Sequence, residues 1–204
     1  HTITECFRAI RTNLEYLAAN PENAKTVLIT SYNPGEGKTF CSVNLGIILA
    51  KAEKKVLLLE LDLHRPKVQK ALNMNTEIGI STILIGKSKI EDSILPTQIE
   101  NMSVILSGPI PPNASELVLS KRLEEMIDYG RKNFDYIIVD TPPVGLITDA
   151  LVIMKYVDVS LFILNSKHAD RNVVSFVEEI VEMNKFKNFG LILNGVKRKG
   201  HGYY

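Results

Sequence analysis

Apolar and polar positions change period several times along the chain, and each change marks a new element. Over residues 4–20, Ile3, Phe7, Ile10, Leu14 and Leu17 recur at spacings of four and three, the repeat of an amphipathic helix. Thr4 is placed to cap its start and Asn20-Pro21 to stop it. Its polar residues include Glu5, Arg8 and Arg11. By physical chemistry alone this is a solvated face with one helical ion pair, worth roughly 0.2–0.5 kcal/mol. Thr26-Val27-Leu28-Ile29-Thr30 predicts a strand over 26–31, and Val43, Leu45, Ile48 and Leu49 predict a helix over 39–51 with one broad apolar side. Lys55 to Asp62 carries a short unbroken aliphatic run, Val56-Leu57-Leu58-Leu59, which predicts a strand buried on both faces, as in a parallel sheet. It ends in Glu60 and Asp62, which alternation would put on one side of the chain at the strand's C-terminal edge. Ligand sites of open α/β sheets collect at that edge.

Residues 67–101 are less informative, apart from a short helix over 79–86 closed by Gly86. A strand follows over 103–107, then a stiff connector, Gly108-Pro109-Ile110-Pro111-Pro112. Asn113 or Ser115 caps a helix running to Lys132, with Leu119, Leu123, Met126 and Ile127 inward. Residues 135–140 form a strand that delivers Asp140 into a rigid Thr141-Pro142-Pro143 turn. The rest reads as a helix over 148–155, a strand over 157–164, a helix capped by Asp170, and a last strand over 189–193 before Asn194-Gly195. Val173, Val174, Val177, Ile180 and Val181 face inward from that helix. This alternation predicts a mainly parallel central sheet flanked by helices, in one domain spanning 1–204.

Between the first strand and its helix stands Ser31-Tyr32-Asn33-Pro34-Gly35-Glu36-Gly37-Lys38-Thr39. Strand, glycine-rich turn, Gly-Lys-Thr and helix are the parts of a phosphate-binding loop. Gly35 and Gly37 lack a Cβ, so the backbone bends tightly and brings its N–H groups to phosphate oxygens. The positive end of the helix points at the same anion. Lys38 reaches the outer phosphates and the Thr39 hydroxyl binds Mg²⁺. Pro34, Gly35, Glu36, Gly37, Lys38, Thr39 and Phe40 make up the expected nucleotide-binding stretch, with Ser31 where the commoner pattern has Gly. Asp140, at the end of a buried strand downstream of such a loop, has the form of a Mg²⁺-side carboxylate.

Composition limits the rest. With 204 residues, 45% apolar and 23% charged, the chain has enough for one sizeable core. A net charge of +1 does not imply nucleic acid as a partner, and Lys197-Arg198-Lys199 is weak evidence for one without a stacking platform. Cys6 and Cys41 lie far apart and form no Cys-x-x-Cys pair, which makes a reducing, cytosolic compartment the default. No run approaches the ~20 apolar residues of a membrane helix, and no signal peptide is visible. The abrupt ends at His1 and Tyr204 fit a segment cut from a longer chain.

Together these pieces resemble the cytoplasmic kinase domain of the bacterial tyrosine autokinases of capsule and exopolysaccharide synthesis. Ser31 to Thr39 matches the family's Walker A loop, Glu60-Leu61-Asp62-Leu63-His64-Arg65 its additional Walker motif, and Ile137-Ile138-Val139-Asp140-Thr141-Pro142 its Walker B form. Ile110 to Leu117, Phe134-Asp135-Tyr136 and Thr148-Asp149-Ala150 are similar to it as well. Two positions depart from the pattern: Glu60 stands where the family usually has Asp, and His64 where it usually has Arg, with Arg65 beside it. Asn33 stands where related partition-type ATPases often carry a lysine, which favours the kinase.

The resemblance implies an ATP- and Mg²⁺-dependent protein-tyrosine kinase of the phosphate-loop, partition-ATPase-like fold. It implies that Lys38 stabilises the transferring phosphoryl group, that Thr39 ligates Mg²⁺, and that Asp140 and Glu60 hold its waters. Asp62 orients or deprotonates the tyrosine hydroxyl, and Asn194 lies near the adenine. Glu5, Arg8 and Arg11 become a subunit contact in a ring-like homo-oligomer. Tyr203 and Tyr204 become the start of a phosphoacceptor tail from about residue 200, modified in trans. The further partner implied is a membrane-spanning activator, fused or separate, at the inner face of the cell membrane. Two other readings share the fold: a partition or division-placement switch ATPase, which would dimerise on ATP and bind DNA or membrane, and a nucleotide-binding regulatory subunit without chemistry.

Overall fold

The computed structural model describes residues 2–17, 25–145, 148–169, 171–184 and 188–196. Its strands are β1 (Lys25–Ser31), β2 (Val56–Glu60), β3 (Leu95–Pro96), β4 (Met102–Ile105), β5 (Tyr136–Asp140), β6 (Val159–Asn165) and β7 (Phe189–Asn194). They form one sheet in the order β3-β4-β2-β5-β1-β6-β7. All pairings are parallel except the short β3–β4 edge pair. β2, β5 and β1 lie inside the sheet, and their unbroken runs of Val, Leu and Ile are what burial on both faces requires.

The helices are α1 (Thr2–Leu17), α2 (Lys38–Ala50), α3 (Val68–Leu72), α4 (Ile80–Leu84), α5 (Ala114–Val118), α6 (Lys121–Asn133), α7 (Asp149–Ile153) and α8 (Arg171–Asn184). Strand alternation sorts the core into two layers. Val27, Ile29, Leu58, Ile138 and Ile163 pack with α1 and α2 through Phe7, Leu14, Leu45 and Leu49. Leu28, Leu57, Leu59, Ile137, Val139 and Phe162 pack on the other face with Leu123, Met126 and Ile127 of α6. Each such fully buried side chain contributes about 1.5–3 kcal/mol of hydrophobic stabilisation. From β1 the chain crosses to β2 on one side, while β6 and β7 lie on the other, so the crevice at the C-terminal end of β1 is the sheet's switch point.

Three local expectations are corrected. α1 starts at Thr2, so Thr4 lies inside the helix and is not its cap, and Ile3 is 58% exposed while Phe7 and Leu14 are the buried residues of the helix. The stretch 113–132 is two helices, because Ser120 adopts extended backbone between α5 and α6. The break takes Leu119 off the inward stripe, leaving it 66% exposed, while Leu123, Met126 and Ile127 stay inside. α3 and β3 were not expected, since elements of five and two residues are too short for periodicity to register.

Candidate active site

The turn after β1 is bent by two glycines in the left-handed region, Gly35 at φ +82° and Gly37 at φ +100°. It is braced from within: the Ser31 hydroxyl donates to the Asn33 carbonyl at 2.7 Å, and the Asn33 N–H donates to Glu36 Oε2 at 2.9 Å. Glu36, expected in the nucleotide-binding stretch, is buried, and its carboxylate serves this brace rather than lining the cavity. α2 begins at Lys38, so its positive end opens into the turn.

A cavity of about 450 Å³ lies over this turn, lined by Pro34, Gly35 and Gly37 to Phe40 of the loop together with Asp62, His64, Arg65, Lys67, Pro142 and Pro143. Lys38 reaches it while only 7% exposed. Burial pushes the Lys38 ammonium below its ordinary pKa, and the nearby Asp140 and Asp62 carboxylates oppose that. Asp140 is 1% exposed at the end of β5. Its Oδ2 accepts the Thr39 hydroxyl at 2.7 Å and its Oδ1 the Ser42 hydroxyl at 2.9 Å. Burial pushes its carboxyl up to about 6, against the Thr39 bond, the Lys38 charge and the Ser42 bond.

The β5–loop junction is held by backbone. Thr141 N–H and hydroxyl both donate to the Ile29 carbonyl, Val144 N–H donates to Ser31, and the Thr30 hydroxyl donates to Pro142. These bonds place Asp140 against the first turn of α2. Ser42 was missed in sequence as a site residue. Its signal is the i, i+3 spacing from Thr39, which puts two hydroxyls on the face of α2 that meets one carboxylate.

Asp62 lines the cavity, its Oδ1 accepting the Arg65 N–H at 3.0 Å. Glu60 does not join it. It pairs in register with Asp140 across β2–β5, yet it is fully buried and its carboxylate accepts the N–H groups of Val68, at the start of α3, and of Ser107. Burial raises its pKa, and the backbone N–H groups of Ser107, Val68, Gln69 and Lys67 work against the rise. Glu60, expected with Asp140 to hold the metal's waters, instead directs its carboxylate to backbone N–H groups at the start of α3 and at Ser107, just beyond β4. His64, at the cavity edge, lies 3.2 Å from the buried Asp149 at the start of α7.

Asn194 lies against the loop rather than in the cavity. Its Nδ2 donates to the Glu36 carbonyl and its Oδ1 accepts the Gly195 N–H, both at 2.9 Å. Phe40 meets Phe7 of α1 edge-on, with ring centroids 5.9 Å apart. On α1, Glu5 and Arg8 pair on the exposed surface and Arg11 is half-buried. Tyr203, Tyr204, Asp170 and Lys197 to Lys199 lie outside the described residues.

The arrangement fits a nucleotide with Mg²⁺. The turn offers a left-handed cradle of N–H groups, and Thr39 with Asp140 offers the hard oxygen donors that Mg²⁺ selects. Among the described residues no group of three or more His, Cys, Asp or Glu could form an all-protein metal cage.

Comparison with known proteins agrees. The AAA domain family matches residues 24–192. Tyrosine-protein kinase YwqD of Bacillus subtilis is 35% identical over 98% of this chain and 86% of its own length. Tyrosine-protein kinase wzc of Salmonella typhimurium is 31% identical over 98% of this chain, which spans 28% of that relative's length. The solved kinase domain of the Escherichia coli tyrosine kinase ETK superposes with a TM-score of 0.90 at 32% identity, covering 98% of this chain and 78% of that one.

Proposed function

The chain belongs to the bacterial tyrosine kinases, and from that premise we propose that it transfers the terminal phosphoryl group of ATP to tyrosines of its own C-terminal segment. The observation that carries the reading is that Lys38, Thr39 and Asp62 line one cavity at the switch point of the sheet, with the buried Asp140 bonded to Thr39 behind it. Bound Mg²⁺ supplies neutralisation of phosphate charge in such a site. Loop N–H groups and the Lys38 ammonium would hold the outer phosphates, and the Thr39 hydroxyl and Asp140, bonded to each other here, would hold the metal. Asp62 is the cavity-lining carboxylate left to orient the tyrosine hydroxyl and take its proton, which helps because a phenol's ordinary pKa is about 10.

The wider setting we propose rests on the family resemblance and on the exposed face of α1. The chain acts at the inner face of the membrane with a membrane-spanning activator of polysaccharide export. The exposed Glu5–Arg8 face of α1, with Arg11, contacts a neighbouring copy in a closed ring, so that each tail, beginning with Tyr203 and Tyr204, enters the next subunit's site. Phosphate adds about −1.5 to −2 charges per tyrosine, which drives the modified tail away from Asp62 and Asp140.

Phosphotyrosine formation from labelled ATP tests this. Lys38→Met should abolish nucleotide binding in a folded protein. Asp62→Asn should keep it while transfer falls about 10²- to 10⁴-fold. Near-normal transfer by Asp62→Asn would remove that residue from the chemistry. For the ring, a particle that stays monomeric at high concentration, and labels its tail at a rate independent of concentration, would overturn the subunit exchange.

A further inference from the structure

Asn194 ends β7, two strands away from the phosphate-binding loop, with β6 and β1 on the path between. Its backbone is rooted in the sheet: it pairs with Asn165 of β6, and its carbonyl accepts the Ser166 N–H at 2.8 Å. Its side chain leaves the sheet and crosses to the loop. Nδ2 donates to the Glu36 carbonyl at 2.9 Å, while Oδ1 accepts the N–H of Gly195. Each end of the amide meets a partner of the opposite kind, so the two bonds together fix its orientation.

The contact is close. A Cβ on Gly37 would stand 2.2 Å from Asn194 Nδ2. Gly37 therefore answers two demands: the left-handed turn at φ +100°, and the seat of an amide from a remote strand. The Glu36 carbonyl that receives the bond lies one peptide before Gly37 and two before Lys38. The loop's curvature is thus tied at its tightest point to the far side of the sheet, and β1 alone does not set it.

We propose that Asn194 is a positioning residue for the phosphate-binding loop, holding the peptides around Gly37 in the curvature that receives phosphate, rather than a reader of the base. This rests on the reading that the loop binds nucleotide phosphates. Because Gly195, at φ +75°, follows directly, the point where the chain turns away from the sheet is one residue from the loop contact.

The two roles separate by ligand. A base contact acts on ATP alone, whereas a loop contact acts on any polyphosphate. Calorimetric titration of the full chain with ATP, GTP and tripolyphosphate, each with Mg²⁺, should show Asn194→Ala losing affinity about threefold to tenfold for all three in equal proportion, the scale of one lost hydrogen bond. Asn194→Asp, which sets an acceptor against the Glu36 carbonyl, should lose more, again equally. On the unaltered protein, the Nδ2 protons of Asn194 should shift in NMR on adding tripolyphosphate and stay put on adding adenosine. Loss confined to ATP, unchanged affinity for every ligand, or an amide that answers adenosine alone would overturn the proposal. A wild type that binds none of the three would overturn the nucleotide reading along with it.

Discussion

Asp140→Asn isolates the cost of holding a carboxylate inside the protein. Asp140 is 1% exposed, and its pKa stands at about 6 against an ordinary 3.8, first because of burial. The folded chain therefore binds this proton more tightly than the unfolded chain does. Stability from this group is present below about pH 4 and is lost as pH rises toward 6, after which it is flat. The gap between 3.8 and about 6 is worth about 3 kcal/mol, at roughly 1.4 kcal/mol per pH unit. Asparagine keeps the size of the side chain and one acceptor for Thr39 or Ser42, and it removes the titration. Urea unfolding from pH 4 to 8, with chelator present to exclude metal, should show wild type falling relative to the variant by about 2–2.5 kcal/mol between pH 4 and 7, the rest of the change lying below pH 4. Glu60, whose pKa burial also raises, is common to both proteins and drops out of the difference. Parallel curves, or a wild type that gains on the variant as pH rises, would refute the argument that Asp140 is a desolvated carboxylate.

Glu60→Ala should destabilise the fold by about 2–4 kcal/mol, since the buried N–H groups of Val68 and Ser107 lose their acceptor, and should leave the Mg²⁺ midpoint of activity unchanged. Denaturation and a Mg²⁺ titration read the two halves separately. Gly79→Ala should cost about 3 kcal/mol or more, because a Cβ there would stand 2.2 Å from the Leu106 carbonyl and 2.6 Å from the Gly108 nitrogen, both backbone atoms. The backbone at Gly79 is extended, so the cost is steric, and the urea midpoint measures it.

Local chemistry made the loop and the sheet legible in sequence. A run such as Val56 to Leu59 is apolar on both faces only where both faces are covered, and Gly-Lys-Thr between strand and helix has few other uses. Lys38, Thr39, Asp62 and Asp140 stood out this way, because each sits at or just past the end of an element whose period announces it, and the structure gathers them at one end of the sheet. What the sequence could not supply was direction across the fold. Glu60 and Asp62 look equivalent in a strand's alternation, but the strand stops at Glu60, and the N–H groups of α3 and Ser107 then decide where its carboxylate goes. Ser42 and Asn194 act on partners 98 and 158 residues away, separations that no local pattern encodes. Leu119 lost its place because a single extended residue, Ser120, restarted the helix and with it the phase of the apolar stripe. Periodicity is a property of neighbours along the chain. Which polar atom meets which is set by strand order and register, and those exist only once the sheet has assembled.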